Sequence, residues 1–393
     1  AVLTRDEQHE ATLVADWLRQ QHLEDETPWR EMAVFYRTNA LSRVMEDALR
    51  GANIPYTIAR GTAFYEREEV KSALAYLRVV ANTADTVSLE RIVNTPARGL
   101  GDTSITRLEA YAYQHGLTLF DALRQAARAP GITPRAAASA EKFVGFIDDL
   151  TGGGSFMGAS VPASLADLVE RVIRESGLEK MYKDQASTSG SESDLERLEN
   201  LDELVSSARQ FELEYDAAAD AASTADGQTL AGDAPPPAPG LLPMLRAYLE
   251  SVALVADADA VDPAQGAVTL MTLHAAKGLE FCCVAMIGLE EGQLPHMRAI
   301  GGESGSDAEL EEERRLCFVG VTRAMKRLLV TCAKYRTIRG TPERTIPSRF
   351  IEEFGREHVR LSDQSDVSSG LGTDWGEQDE DAGDPWGDGP SPG

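Results

Sequence analysis

At 393 residues the chain exceeds one ordinary core, so two or three domains are expected. An apolar fraction of 42% fits a globular protein, and no apolar run reaches membrane-span length, so export and membrane insertion are not indicated and the cytoplasm is the expected compartment. The formal net charge of -26 argues as a sum against nucleic acid; yet Arg314 to Arg349 is a run of basic residues with Glu343 as its only acid, which predicts a local basic surface.

In chain order, Asp6 to Gln21 has a helical period, with Ala11, Val14, Ala15 and Leu18 on one face. Ala33-Val34-Phe35-Tyr36 predicts a short buried strand, Ser42 to Leu49 a helix closed at Gly51, and Tyr56-Thr57-Ile58 another strand. Glu66 to Val80 predicts an amphipathic helix with Val70, Leu74 and Leu77 on its stripe. From about Pro134 to Leu254 the pattern is helical, broken by loop signals at Gly152–Gly154 and Ser187–Ser193. Ala217 to Gly240, with Pro235-Pro236-Pro237, reads as a disordered insert. Strands return at Val268–Met271, Cys283–Ile287 and Leu328–Thr331. From Leu361 there is no Lys or Arg and many acids, the signature of a disordered acidic tail.

Strand–helix alternation followed by helices predicts an α/β domain, residues 1–130 plus 265–355, interrupted by a helical insertion at 131–264 and followed by a tail at 356–393. Cys282, Cys283, Cys317 and Cys332 lack CxxC spacing and sit in apolar runs, so they read as buried, reduced thiols. Cys282 and Cys283 are expected on opposite faces of one strand. The histidines show no metal-ligand spacing.

Three segments carry chemistry. Tyr36-Arg37-Thr38-Asn39 lies at the C-terminal end of the first strand, where open α/β sheets bind ligands. An aromatic there can stack on a base and an Arg can fork onto phosphate, although the spacing is not distinctive and in isolation a strand edge with a surface Arg is the favoured reading. Thr272-Leu273-His274-Ala275-Ala276-Lys277-Gly278-Leu279-Glu280-Phe281 follows a strand; Thr272 and His274 offer neutral donors to a DNA backbone, and Glu280 can accept from a ribose hydroxyl. Glu311-Glu312-Glu313-Arg314-Arg315-Leu316-Cys317-Phe318-Val319-Gly320-Val321-Thr322-Arg323-Ala324 suits a helix whose acidic start favours the helix dipole and which presents Arg323 rigidly.

These segments resemble motifs IV, V and VI of the UvrD/PcrA/Rep family of superfamily 1 DNA helicases. Phe64 to Lys71, Asn94 to Gly101, Glu290-Glu291-Gly292 and Pro347-Ser348-Arg349-Phe350 are also similar to that family, and the resemblance runs from about Asp6 to Phe354. It implies a RecA-like motor domain, a parallel sheet flanked by helices, called 2A, carrying a mobile helical insertion called 2B. It implies roles as well. Tyr36 would stack on adenine, Arg37 reach the γ-phosphate, Glu280 contact the ribose and Arg323 serve as the arginine finger. Thr272 and His274 would touch single-stranded DNA. Arg98, Gly99, Gly101 and Thr103 belong to a segment resembling a backbone-amide loop that grips duplex phosphate, and Gly131-Ile132-Thr133-Pro134-Arg135 to a second one. From spacing alone Gly99-Leu100-Gly101 fits a simple glycine turn equally well.

The chain departs from the family in several places. It holds no GxxxxGK(S/T), hence no phosphate-cradling loop and no Mg²⁺-binding hydroxyl beside it. Asp202-Glu203-Leu204-Val205 looks like an acidic metal box but reads as a solvated helix face. ATP and Mg²⁺ are the implied cofactors, with the metal's ligands expected in an N-terminal motor domain on the same or a separate chain; alone, this chain is expected to be inactive. Cys282 stands where the family has Pro, and Phe318 where Tyr is common. Arg339 replaces an aromatic that stacks at the single-strand/duplex junction. The implied activity is 3′-to-5′ unwinding of DNA in repair or replication restart, and a repair partner would dock on the acidic tail, where Trp375 and Trp386 recur in similar settings. A non-catalytic DNA-binding or regulatory protein of the same fold, or a helicase–nuclease subunit, are the alternatives.

Overall fold

A strand that the sequence pattern hides opens the chain: β1 (Val2–Asp6) buries Val2, Leu3 and Thr4 while Arg5 is exposed. Asp6 then caps α1 (Glu7–Glu24), its side chain accepting from the His9 backbone N–H at 2.9 Å. The computed structural model describes residues 1–59, 61–189, 191–215, 240–257, 266–300, 307–355 and 357–366. The order continues with β2 (Met32–Tyr36), α2 (Ser42–Gly51), β3 (Tyr56–Ile58), α3 (Glu68–Ala81), α4 (Thr86–Ile92), α5 (Asp102–His115), α6 (Leu119–Arg124), α7 (Pro134–Thr151), α8 (Leu165–Glu175), α9 (Leu178–Ser189), α10 (Glu192–Glu214) and α11 (Leu241–Asp257). It closes with β4 (Val268–Thr272), β5 (Phe281–Met286), α12 (Met297–Ile300), α13 (Asp307–Val321), β6 (Ala324–Ile338), β7 (Thr341–Arg344), α14 (Arg349–Glu353) and β8 (Ser362–Asp363).

Two compact units result. The first holds the described residues within Ala1–Phe64, Ala260–Thr337 and Pro342–Gly393. It is an α/β layer built on an eight-stranded sheet in the order β3-β4-β2-β5-β6-β1-β8, with β7 paired to β6. Every pairing along that path is parallel. Because both faces are covered, β2 and β5 are continuous apolar runs without alternation. On one face Val14, Leu18, Met45 and Leu49 of α1 and α2 pack on Met32, Val34 and Tyr36. On the other, Cys317, Phe350 and Ile351 of α13 and α14 pack on Phe35, Val284 and Met286. A register shift between Phe281 and Cys283 puts both Cys282 and Cys283 in the core beside α1, contrary to the simple alternation expected of a strand. All four cysteines are free and buried.

The second unit comprises the described residues within Tyr65–Asp259 plus Ile338–Thr341, the tip of the β6–β7 turn. It is helical, with α3 at its centre against α4, α7, α8, α10 and α11. The helical unit therefore begins at Tyr65, not at residue 131, because the stripe of Val70, Leu74 and Leu77 is buried among helices rather than on the sheet. The loop expected at Ser187–Ser193 is shorter, since α9 runs to Ser189 and α10 starts at Glu192. β8 pairs with β1 at Val2↔Ser362 and Leu3↔Asp363, so the first acidic residue after Leu361 helps to complete the sheet. The insert read at Ala217 to Gly240, apart from Gly240 itself, and the tail tryptophans lie outside the described residues.

Candidate functional site

The C-terminal ends of β2 and β4 bring the first two segments together. Tyr36 and Thr272 are register partners, and the Leu273 N–H donates to the Tyr36 carbonyl at 2.9 Å. Tyr36 itself is 1% exposed and lies in the α1–α2 face of the core. In this conformation its ring is covered by apolar side chains.

Arg37, one residue on, is also buried, and Glu313 of α13 holds it. Nε donates to both carboxylate oxygens at 3.1 and 3.0 Å, and Nη2 to Oε1 at 2.8 Å. Glu313 Oε2 also accepts from the His296 backbone N–H at 3.0 Å. The first and third segments are thus joined by a buried, two-pronged ion pair.

Arg323 joins the third segment to the second. It follows α13 and turns back on the helix end: Nε donates to the Val319 carbonyl at 3.1 Å and Nη2 to Thr322 Oγ1 at 2.9 Å. A cation is favoured there by the helix dipole and the unpaired carbonyls of the last turn. Nη1 donates to the Leu279 carbonyl at 3.3 Å, and the Phe281 N–H donates to the Arg323 carbonyl at 2.9 Å. Glu280, between those two residues, is exposed. Thr272 is half-buried and His274 exposed on the same loop, which turns at Gly278 with φ +85°. The protein atoms gripped by Arg37 and Arg323, at Glu313 and Val319, are six residues apart on α13, about 9 Å of helix rise.

The expected basic surface from Arg314 to Arg349 is largely cancelled by acids from elsewhere. Arg314 pairs with Glu311 and Glu353, Arg327 with Asp25 at 2.9 Å and Arg349 with Glu291 at 2.7 Å. Arg336 is buried with two acids, donating to Glu290 at 2.6 Å and Glu10 at 2.8 Å. Burial pushes the Glu290 carboxyl above its ordinary range, and the Arg336 charge pulls it back.

In the helical unit the structure brings the two glycine loops together. Gly99 and Gly131 both have φ +78°, and Gly101 precedes α5 without a side-chain cap. Thr133 caps α7, accepting from the Ala136 N–H at 3.2 Å. A Cβ on Gly99 would stand 4.0 Å from Arg135 Nε, and one on Gly131 3.2 Å from Arg107 Nε. Gly99, Gly101, Thr103, Arg107 and Arg135 are all exposed. Arg98 is different. Its guanidinium donates to the Ile92, Pro96 and Ser176 carbonyls at 3.0, 3.1 and 2.7 Å and to the Tyr76 hydroxyl. It also lies 5.4 Å from the Phe143 ring centre. Arg98 therefore braces the loop from inside.

Arg339, at the tip of the β6–β7 turn with φ +50°, donates to Asp202 at 2.9 Å. Asp202 is thus the half-buried partner of an arginine and not a solvated position on its helix.

Comparison with known proteins fits this arrangement. The UvrD-like helicase C-terminal domain matches residues 2–133 and 160–335. The chain belongs to the UvrD-like helicase family. It is 40% identical over 357 residues to the ATP-dependent DNA helicase UvrD1 of Mycobacterium tuberculosis, covering 90% of this chain and 43% of that protein. With the ATP-dependent DNA helicase PcrA of Staphylococcus epidermidis it shares 37% identity over 334 residues, 85% of this chain and 41% of the relative. PcrA of Staphylococcus aureus is 36% identical over the same span. The chain thus spans less than half the length of these relatives. Among its described residues no helix is long and apolar enough to cross a membrane.

Within this UvrD-like chain, further similar stretches prove to be partners of one another. The Ser348 N–H donates to the Leu289 carbonyl at 2.8 Å, and the Arg349 N–H to Glu291 at 2.9 Å, so Glu290-Glu291-Gly292 and Pro347-Ser348-Arg349-Phe350 form one joint. Sequence reasoning missed Glu313, whose place in an acidic run suggested only a dipole-friendly helix start. It also missed Asn94, whose Oδ1 accepts from the Arg98 and Leu100 backbone N–H groups at 2.8 and 3.3 Å and shapes the first glycine loop.

Proposed function

We propose that this chain supplies one wall of the ATP site of an ATP-dependent DNA helicase that moves 3′ to 5′. The observation that carries the reading is Arg323, which is hydrogen-bonded on both sides of Glu280 and so draws the third segment onto the second. The Arg37–Glu313 pair brings in the first segment, and the relatives are named as ATP-dependent DNA helicases. Closure over ATP would bring Arg323 and Arg37 from their present protein partners onto the phosphates, where charge develops during transfer. Glu280 would accept from the ribose. Mg²⁺ would be held by Walker A and B elements, which these 393 residues do not contain. Adenine stacking by Tyr36 requires its ring to leave the core.

For DNA, Thr272 and His274 would touch the single strand, and the paired glycine loops would grip duplex phosphate through the amides of α5 and the charges of Arg107 and Arg135. Arg339 would act at the single-strand/duplex junction once parted from Asp202, since a guanidinium stacks on bases. Repair or replication restart is the proposed setting, with a repair protein docking on the acidic tail.

Tailed duplexes test the proposal. The complete enzyme should displace a strand from a 3′-tailed duplex with ATP and leave a 5′-tailed one intact, while this chain alone should show no DNA-stimulated ATP hydrolysis. Unwinding from the 5′ tail would sink the polarity, and hydrolysis by the chain alone would sink the half-site reading.

A further inference from the structure

Arg37 meets a carboxylate in the manner in which a guanidinium meets phosphate. Two nitrogens on one edge face two oxygens, and both side chains are only 7% exposed. A buried cation rests only where an anion answers it, so a phosphate can take Arg37 only in exchange for Glu313. Glu313 can tolerate that exchange, because Oε2 keeps the His296 N–H as a donor at 3.0 Å. The pair is also placed to sense the exchange. Glu313 sits on α13, the helix whose far end carries Arg323.

We infer that Glu313 is a positioning residue that stands in for the γ-phosphate, holding Arg37 when no triphosphate is bound and yielding it only to one. The inference rests on the reading of Arg37 as a γ-phosphate ligand. A diphosphate has no group to displace the carboxylate, so the Arg37–Glu313 pair survives its binding. The exchange thereby makes the site choose ATP over ADP and returns Arg37 to α13 once phosphate leaves.

The test is nucleotide binding to the complete enzyme, using a non-hydrolysable ATP analogue and ADP with wild type, Glu313→Gln, Arg37→Ala and the double variant. Glu313→Gln leaves Arg37 buried beside a neutral amide, so the analogue should bind about tenfold tighter while ADP changes by less than about twofold. With Arg37→Ala in place, Glu313→Gln should change neither nucleotide. Glu313→Asp, which keeps the charge but withdraws it by one methylene, should shift the analogue in the same direction by a smaller factor. Equal weakening of both nucleotides by Glu313→Gln, or an identical effect with and without Arg37, would overturn the role of Glu313 alone. Unchanged analogue binding by Arg37→Ala would overturn the reading of Arg37 and this inference with it.

Discussion

Gly320 of α13 lies so close to Leu273 that a Cβ on it would stand 2.6 Å from Leu273 Cδ2, and 2.8 Å from Met286 Cε. Leu273 is 1% exposed and its N–H is tied to Tyr36, so it has nowhere to retreat. The missing side chain is what lets α13 lie flat on the sheet. Only from there does Glu313 reach Arg37 and Arg323 reach the loop that carries Glu280.

Gly320→Ala should accordingly destabilise the α/β unit. Overpacking costs about 1–3 kcal/mol, more than the roughly 1 kcal/mol gained from replacing Gly within a helix. The urea midpoint should fall; a midpoint that is unchanged or higher would show that α13 shifts freely against the sheet.

The buried Glu10–Arg336–Glu290 group gives a pH-dependent prediction. Arg336→Met leaves two carboxylates without their cation, a loss of about 3–5 kcal/mol at neutral pH. Burial holds the Glu290 carboxyl above its ordinary 4.5, with Arg336 opposing that rise. A carboxyl raised on folding contributes stability that is fully present below its unfolded value and lost as pH climbs through the folded one. Removing Arg336 deepens that loss. The gap in urea midpoint between variant and wild type should therefore be smaller near about pH 5 than near about pH 8. A gap that does not change with pH would contradict this.

Arg98 and Arg135 should separate bracing from binding. Arg98→Ala removes donors to three backbone carbonyls, so it should cost about 2–4 kcal/mol of stability and leave duplex affinity of the folded protein unchanged. Arg135→Ala should leave stability unchanged within about 0.5 kcal/mol but lower duplex affinity and reduce the salt slope by about 1. The opposite pattern, measured by thermal melting and salt-dependent binding, would reverse the two assignments.

These contrasts show which features are legible in the sequence. β2 and β5 stand out because strands buried on both faces are continuous apolar runs, β3 and β4 are short β-branched and apolar stretches, and the loops after β2 and β4 carry distinctive residues. The unit boundary at Tyr65 is hidden, since the stripe of Val70, Leu74 and Leu77 looks the same whether it covers a sheet or other helices. β1 is hidden because Thr4, Arg5 and Asp6 cut short its apolar start. Arg98 looks like a ligand-facing residue because its partners are backbone carbonyls, which leave no mark in side-chain identity. Likewise the basic run from Arg314 to Arg349 looks like a phosphate-binding surface because Asp25 and Glu10, two of the acids that meet it, lie about three hundred residues upstream.

The account turns on Arg323 acting on ATP and not on DNA. The direct measurement is ATP turnover and single-stranded DNA affinity for Arg323→Ala in the complete enzyme. Turnover should fall by about 10³-fold or more, as for the loss of an arginine that neutralises transferred phosphate, with DNA affinity within about twofold of wild type. Parallel loss of both would make Arg323 a mere cap for α13, and undiminished turnover would contradict the account outright.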